Sequence, residues 1–532
     1  MRRYHAAVWD EPLVLELGRP GRRGLVFEDV EAEVREAVGD PAALVPARLR
    51  RQDLPELPEL SEPEVLRHYL HLSQETMGMM GISLFGTCTM KYNPRLAWEL
   101  VARPELAELH PEQDDETLQG VLELVHGLDM ILRGLSGMDL FVFQPGGGAH
   151  AAYTHAVVTR AYHASRGELT QRDEIVTTIQ AHPCNPATAA AAGFKVVTLP
   201  LEENGYPTLE ALEAAVSERT AALMVGNPDD MGIYNPEIHK WVELVHAAGG
   251  LCFYDHANFN GVMGKLKARD LGFDACMYML HKTFGAPKAG GGPAVGAYGC
   301  TAELAPFLPG PVIVRDDGDR YRLDRDRPQS IGKVREFFGN VPQLVYAYTW
   351  SRAMGAEGIH EASDVSVLLN NYMEKRLLEI RGVTKSHPHL TAPRLEMTRY
   401  SLGQVEEDTG ITVVDIQNRM VDFGIDAFWL SHEPWLVPAP FTPEAGEMWS
   451  REDVDEWIDV LTHVVGEAYS DPELVRTAPH NQAIRKLDGR NLDDPGAWAT
   501  TWRAYKRKRP RTRPRPEADG GEATEDWAKA AT

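Results

Sequence analysis

Five short apolar runs punctuate the middle of the chain: LFVFQ from Leu140, EIVTTIQ from Glu174, AALMVGN from Ala221, GLCFYDH from Gly250 and ACMYML from Ala275. Each is bounded by polar residues or glycine and is too short for a helix, so each predicts a strand. The stretches between them carry apolar residues at helical spacing and have marked ends. Asn185-Pro186 predicts an N-cap with proline in the first turn of an alanine-rich helix that Gly193 closes. Asn235-Pro236 predicts the same start for EIHKWVELVHAAG, with Gly249 or Gly250 as the stop. Strands alternating with helices predict βαβ units, a mostly parallel sheet and an α/β fold. Ligands of such sheets sit beyond the carboxyl ends of the strands, which places Gln144, His182, Asn227, Asp255 and His281 at the expected site.

The flanks read differently. Residues 1 to about 60 are rich in Pro, Arg and Glu and predict an arm that lies over a surface rather than a core. A helical pattern starts at Glu62 and breaks at MGMMGISLFGTCTMKYNPR, and a second runs from Glu116 to Ser136. After Pro342 a long helical stretch reaches Leu378, and TVVDI, VDFGI and AFWLS then read as strands mixed with helices. SREDVDEWIDVLTHVVGEAYSD is an amphipathic helix with Ser450 as cap and Asp453 three residues on. The expected organisation is an N-terminal arm and extension over 1–100, a large domain over 101–341, a smaller α+β domain over 342–488 and a tail over 489–532.

Charge removes some functions. The chain carries 54 basic and 78 acidic residues, 54 − 78 = −24, which argues against binding nucleic acid through its whole surface. One segment opposes this balance: RAYKRKRPRTRPRP, Arg503 to Pro516, holds eight basic residues and no acid. The aperiodic EADGGEATEDWAKAAT follows it, and the whole stretch predicts a solvated, disordered tail. Cys88, Cys184, Cys252, Cys276 and Cys300 stand singly, an odd count without zinc or disulfide spacing, as suits a reducing cytoplasm. The start MRRYHAAVWDEP lacks the apolar core of a signal peptide, and no run nears the roughly 18 apolar residues of a membrane span. A soluble cytoplasmic enzyme with neither membrane nor nucleic-acid partner, and without a metal, is expected.

Four strand-end features carry the candidate chemistry. Leu280-His281-Lys282-Thr283-Phe284 puts a lysine at the end of an apolar strand, where an amine is costly to bury unless its charge is paired or lost. One use for such an amine is a Schiff base with a carbonyl cofactor; a surface lysine at a strand edge is the plain alternative. Asp255 closes GLCFYD and could hold the nitrogen of a pyridine ring protonated, or could simply anchor a loop. Gln144-Pro145-Gly146-Gly147-Gly148-Ala149-His150 opens a helix with bare backbone amides, which suits a phosphate. His182 could stack on a flat ring or sit in the core. No GxSxG, GxxxxGK[ST] or HExxH competes. In chain order, phosphate turn, stacking residue, aspartate and lysine resemble a fold-type I pyridoxal phosphate enzyme.

At larger scale the chain resembles the second, cofactor-bearing subunit of the glycine cleavage system P-protein (glycine dehydrogenase, decarboxylating). The resemblance runs from about Pro12 to Asp488 through ELGRPGRRG, LFGTCTMKYNPR, LHPEQDDETLQGVLEL, AHPCNPAT, ALMVGNPDDMGIY, YDHANFNGVMG, LHKTFGAPKAGGGPAVG, DGDRYRLDRDRPQSIGKVR and DPELVRTAPHNQAIRKLD. It implies pyridoxal 5'-phosphate on Lys282, with Asp255 on the ring nitrogen, His182 stacked on the ring, the phosphate at Gly147 and Gly148, and His281 beside the cofactor. It also implies that glycine loses its carboxyl group and that the aminomethyl group passes to the lipoyl group of H-protein. The implied partners are the first P-protein subunit, lipoylated H-protein and a second copy of this chain.

Several positions depart from the family pattern. Pro183-Cys184-Asn185-Pro186 stands where Gly-Thr-Asn-Pro is usual, His256 where the aspartate is usually followed by glycine, and Gly285-Ala286-Pro287-Lys288 where Ser-Thr-Pro-His is usual. The phosphate turn reads Gly-Gly-Gly-Ala-His150-Ala-Ala in place of Ala-Ala-Gly-Ala-His-Gly-Glu. These changes fall where cofactor and substrate are expected. They leave open a paralogue that acts as a decarboxylase or aminotransferase on another amino acid without lipoyl protein.

Overall fold

The computed structural model describes residues 2–19, 21–22, 24, 28–51, 57–77, 81–84, 94–287, 292, 294–428, 430, 436–486, 494–499 and 501–508. The chain forms two compact units, one of Met1–Tyr4 and Met79–His480, the other of His5–Gly78 and Asn481–Thr532. The first takes in the large part expected at 101–341 and most of the smaller part expected at 342–488.

The first unit is built on a seven-stranded sheet of β1 (Leu140–Val142), β2 (Glu174–Thr178), β3 (Lys195–Leu199), β4 (Thr220–Gly226), β5 (Leu251–Asp255), β6 (Ala275–Met279) and β7 (Gly296–Cys300), in the order β1-β7-β6-β5-β4-β2-β3. β3, β2, β4, β5 and β6 run parallel, and β7 is antiparallel to both of its neighbours. The five apolar runs are strands, as the alternation predicts. β7 hides behind its glycines, which close approach explains: a Cβ on Gly296 would stand 2.9 Å from the carbonyl oxygen of Gly147, and one on Gly299 only 2.3 Å from the Phe141 ring.

Helices cover both faces. α1 (Gln119–Ser136) buries Leu122, Val125, Leu128 and Leu132 in a cluster that includes Tyr254 and Tyr278 from the sheet. α2 (Gly148–Ser165) lies on the other face with Ala151, Ala152 and Ala156, against Phe253 and Met277. Its small residues let it sit low on the sheet; a Cβ on Gly148 would meet Met277 Cε at 2.9 Å. Because side chains alternate along a strand, Phe253 and Asp255 face α2 while Tyr254 faces α1.

Several helix ends differ from expectation. α3 (Cys184–Ala191) starts before Asn185, with Pro183 at its N-cap, so Asn185 is not the cap but an inward-facing residue of the first turn. Gly193 closes the helix with φ +91°, as expected. α4 (Ile238–Ala247) begins after Glu237, although Asn235 Oδ1 still accepts the Glu237 N–H at 2.9 Å and so keeps a capping part. α5 (Val341–Leu377) is two helices meeting at Gly355, whose φ of 64° breaks the helical path.

TVVDI is not a strand. It opens α6 (Val413–Met420), where the Thr412 hydroxyl donates to Asp415 Oδ2 at 2.8 Å in a capping box that outweighs the preference of the two valines for a strand. The strand lies later, at Ile425–Phe428, parallel to Ile82–Leu84. α7 (Arg451–Ser470) is capped by Ser450 and Asp453 as expected, and its Val454, Trp457, Ile458 and Leu461 fill the core of this part.

In the second unit, helix Glu62–Gln74 is capped by Ser61 and Glu64, and Glu11 bridges His68 Nδ1 at 2.5 Å and His71 Nδ1 at 2.8 Å. The expected disordered tail, 489–532, lies partly outside the described residues, at 489–493, 500 and 509–532. Of the remainder, Pro495–Ala497 forms a 3-10 turn and Trp502–Lys508 a helix. Cys88 and Lys288 also lie outside the described residues. No helix among the described residues is long and apolar enough to cross a membrane.

Candidate active site

The site is assembled at the carboxyl ends of β4, β5 and β6 and the amino ends of α2 and α3. β6 stops at Met279, and Lys282 N–H donates to the Met279 carbonyl at 3.0 Å, folding the chain back so that the lysine is 3% exposed. Asp255, the last residue of β5, is 4% exposed. Its Oδ1 accepts the Ala257 N–H at 3.0 Å and its Oδ2 accepts Asn185 Nδ2 at 3.1 Å. Burial pushes the Asp255 carboxyl up from its ordinary range, and the charges of His182 and Lys282, with these hydrogen bonds, pull it back. His182 is partly exposed, and its Nδ1 accepts the Cys184 N–H at 3.1 Å at the entrance to α3. The sequence-predicted lysine, aspartate and histidine therefore share one electrostatic neighbourhood.

The glycine turn forms a second part. Gly147, with φ +149°, is the N-cap of α2, and its backbone faces His281 Cε1, 3.7 Å from where a Cβ would be. His281 is held through Nδ1 to the Val295 carbonyl at 3.0 Å, and burial lowers its pKa to about 4, so the ring is neutral near pH 7. Arg335 completes the turn: its guanidinium Nη1 lies 2.8 Å from the point where Gly146 would carry a Cβ. Bare amides at a helix N-terminus beside a guanidinium make an anion site.

Sequence reasoning missed Arg335, although its block was part of the resemblance, because nothing in SIGKVR says that it reaches the turn. It also missed Asn185, whose Asn-Pro spelling reads as a cap. A third omission is a group of polar residues just past β4 and β5. Asn258 Nδ2 donates to Asp230 Oδ1 at 2.8 Å, and Asn260 Nδ2 donates to Glu444 Oε1 at 3.1 Å. Glu396 lies next to them, fully buried, its carboxyl pushed well up by burial and by Glu444. Gly261 has to be glycine to admit that carboxyl, for a Cβ would fall 2.2 Å from Glu396 Oε2.

His256 is the opposite case. The sequence places it where cofactor and substrate are expected, yet its ring stacks on Tyr254 at 3.8 Å and on Tyr278 at 5.3 Å, with Phe259 edge-on at 4.9 Å. One residue beyond Asp255, it falls on the other face of the sheet, and burial lowers its pKa to about 3. It is a neutral core ring. Together the turn, the buried amine and the buried carboxylate suit a flat, anionic carbonyl compound with a basic ring nitrogen.

A family model described as aminotransferase class-V matches residues 146–429. The probable glycine dehydrogenase (decarboxylating) subunit 2 of Pyrococcus abyssi is 43% identical over 509 residues, covering 94% of this chain and 98% of that protein. The protein of the same description from Halalkalibacterium halodurans is 38% identical over 488 residues, covering 90% and 96%. Among solved structures, the glycine decarboxylase (P-protein) of the glycine cleavage system, in inhibitor-bound form, superposes with a TM-score of 0.68 at 21% identity over 82% of this chain and 99% of that one. A cysteine desulfurase from Escherichia coli superposes with a TM-score of 0.54 at 17% identity over 73% and 95%. These two likenesses concern the fold.

Proposed function

The chain belongs to the glycine dehydrogenase (decarboxylating) subunit 2 family, with the class-V aminotransferase fold, and from that premise we propose that it is the pyridoxal phosphate-bearing subunit of a glycine decarboxylase. The observation that carries the reading is the buried Lys282 sharing its surroundings with the buried, hydrogen-bonded Asp255. Residues 101–341 carry the cofactor in this reading, and 342–488 form the smaller domain.

Lys282 Nζ is the point of covalent attachment. Asp255 holds a proton on the ring nitrogen, His182 stacks on the ring, His281 packs beside the phosphate turn, and Gly147 and Gly148 with Arg335 receive the phosphate. Bound there, pyridoxal phosphate supplies an electron-poor ring that takes up the electron pair left as a carboxyl group departs. The burial of Lys282 and Asp255 keeps water from that pair and strengthens each charge the chain presents.

The reading extends to glycine as substrate, to transfer of the aminomethyl group to the lipoyl group of H-protein, and to assembly with subunit 1 and a second copy of this chain. Relatives whose names specify a subunit 2 support a partner subunit. Cys184, Cys252, Cys276 and Cys300, all free and buried, suit the cytoplasm. His256 gives no support to a larger amino acid, because its ring fills the core and not the substrate space. Exchange of labelled bicarbonate into glycine tests the proposal, with subunit 1 and lipoylated H-protein supplied. Exchange that depends on both is expected. No exchange, with another amino acid turned over in the absence of lipoyl protein, would replace glycine decarboxylation with the paralogue reading.

A further inference from the structure

We propose that Asn185 is a positioning residue whose carboxamide, oriented by the Cys184 thiol, keeps Asp255 ionised and turned toward the ring nitrogen of the cofactor. The inference rests on the reading of Asp255 given above.

Asp255 is faced by groups from four segments. Its own loop offers the Ala257 N–H, α3 offers Asn185 and Cys184, the segment after β2 offers His182, and the turn after β6 offers Lys282. Asn185 is a neutral donor, so its support does not vary with pH. The amide is fully buried and makes its 3.1 Å contact to Oδ2 from the first turn of α3, a rigid element.

Direction follows from chemistry. An ionised carboxylate only accepts hydrogen bonds, so Asn185 must present Nδ2 to it and turn Oδ1 away. Cys184 Sγ lies 3.9 Å from that Oδ1. Burial raises the thiol pKa well above its ordinary value, so Cys184 keeps its S–H and remains a donor. A protonated Asp255 would let the amide reverse and accept from it. The reversal would then place Nδ2 against the thiol hydrogen. The pair Cys184–Asn185 therefore favours one amide orientation, and with it the charged form of Asp255.

The test is infrared difference spectroscopy over a pH series, taken against Asp255→Asn so that the carboxylic acid stretch of Asp255 stands alone. It is run with and without pyridoxal phosphate, beside the pH profile of kcat. Asn185→Ala should raise the pH at which Asp255 takes up its proton by about one to two pH units, a 10- to 100-fold change in proton affinity. kcat should follow that titration while KM for glycine moves little. Asn185→Ser, which keeps a donor, should recover part of the shift, and Cys184→Ala should show a smaller shift in the same direction. The serine and cysteine variants carry the test if the alanine variant does not fold. Titrations of all three that superpose on the wild type would overturn the proposal. Because the infrared signal is read in cofactor-free protein as well, a failure of the cofactor reading appears separately, as a wild type that binds no pyridoxal phosphate.

Discussion

Asp255 and His256 are neighbours in the chain and live in opposite surroundings. Asp255 points to the α2 face, where it accepts two hydrogen bonds and has His182 and Lys282 nearby. His256 points to the α1 face, where three aromatic rings surround it and neither ring nitrogen has a hydrogen-bond partner. Burial acts on both in the same direction, against the charged form. The difference is company. The α2 face of this sheet end gathers polar partners around a buried carboxylate, and the α1 face packs rings against rings.

That contrast breaks most sharply at Lys282. Lys282→Ala should abolish turnover and the near-visible absorbance of lysine-bound cofactor while the protein stays folded; a borohydride-reducible adduct surviving in the variant would move the attachment point elsewhere. Asp255→Asn comes next. It removes the preorganised charge on the ring nitrogen and should lower kcat on the order of 10²-fold or more with no loss of melting temperature. Near-normal kcat would mean that another group holds that proton.

On the α1 face the pattern inverts. His256→Gly empties space among packed rings and should destabilise the protein by about 2–5 kcal/mol in denaturant titrations, leaving kcat per folded molecule unchanged. A change in substrate preference instead would return His256 to the active site.

The pH dependence has a definite sign. His256 is neutral in the folded state, with a pKa of about 3, and ordinary, about 6.5, when unfolded. Below that pH the unfolded chain binds the extra proton, so stability is full above about 6.5 and falls by up to about 1.4 kcal/mol per pH unit towards 3. His256→Phe removes this loss, so its stability margin over the wild type should widen as pH drops from 7 to 5. A constant margin would mean that the ring is charged in the fold. The smallest effect is His256→Phe at neutral pH, where relieving two unpartnered ring nitrogens should add about 1 kcal/mol.

Much of this was legible before any coordinates. The βαβ alternation, the Ser450 cap and the lysine and aspartate at strand ends rest on local patterns that the fold preserves. What escaped depends on parity or distance. Whether residue 256 follows Asp255 into the site is decided by the pleat, not by its place next to Asp255 in the chain. Asn185 spells a cap by its neighbour Pro186, but α3 begins one residue before it and leaves the amide for Asp255. Arg335 reaches the glycine turn only once the chain between them has folded. β7 carries glycine because other backbone and rings already fill the space where its side chains would go.

The closeness of Gly296 to Gly147 has a consequence for inheritance. The floor of the phosphate turn is another strand's backbone, with no room for even one methyl group between them. A lineage can exchange residues around the turn, as this chain has, but position 296 stays glycine whichever residue stands at 147, because backbone fills the space its Cβ would need. Across related chains position 296 should therefore be fixed as glycine even where the residues of the turn change.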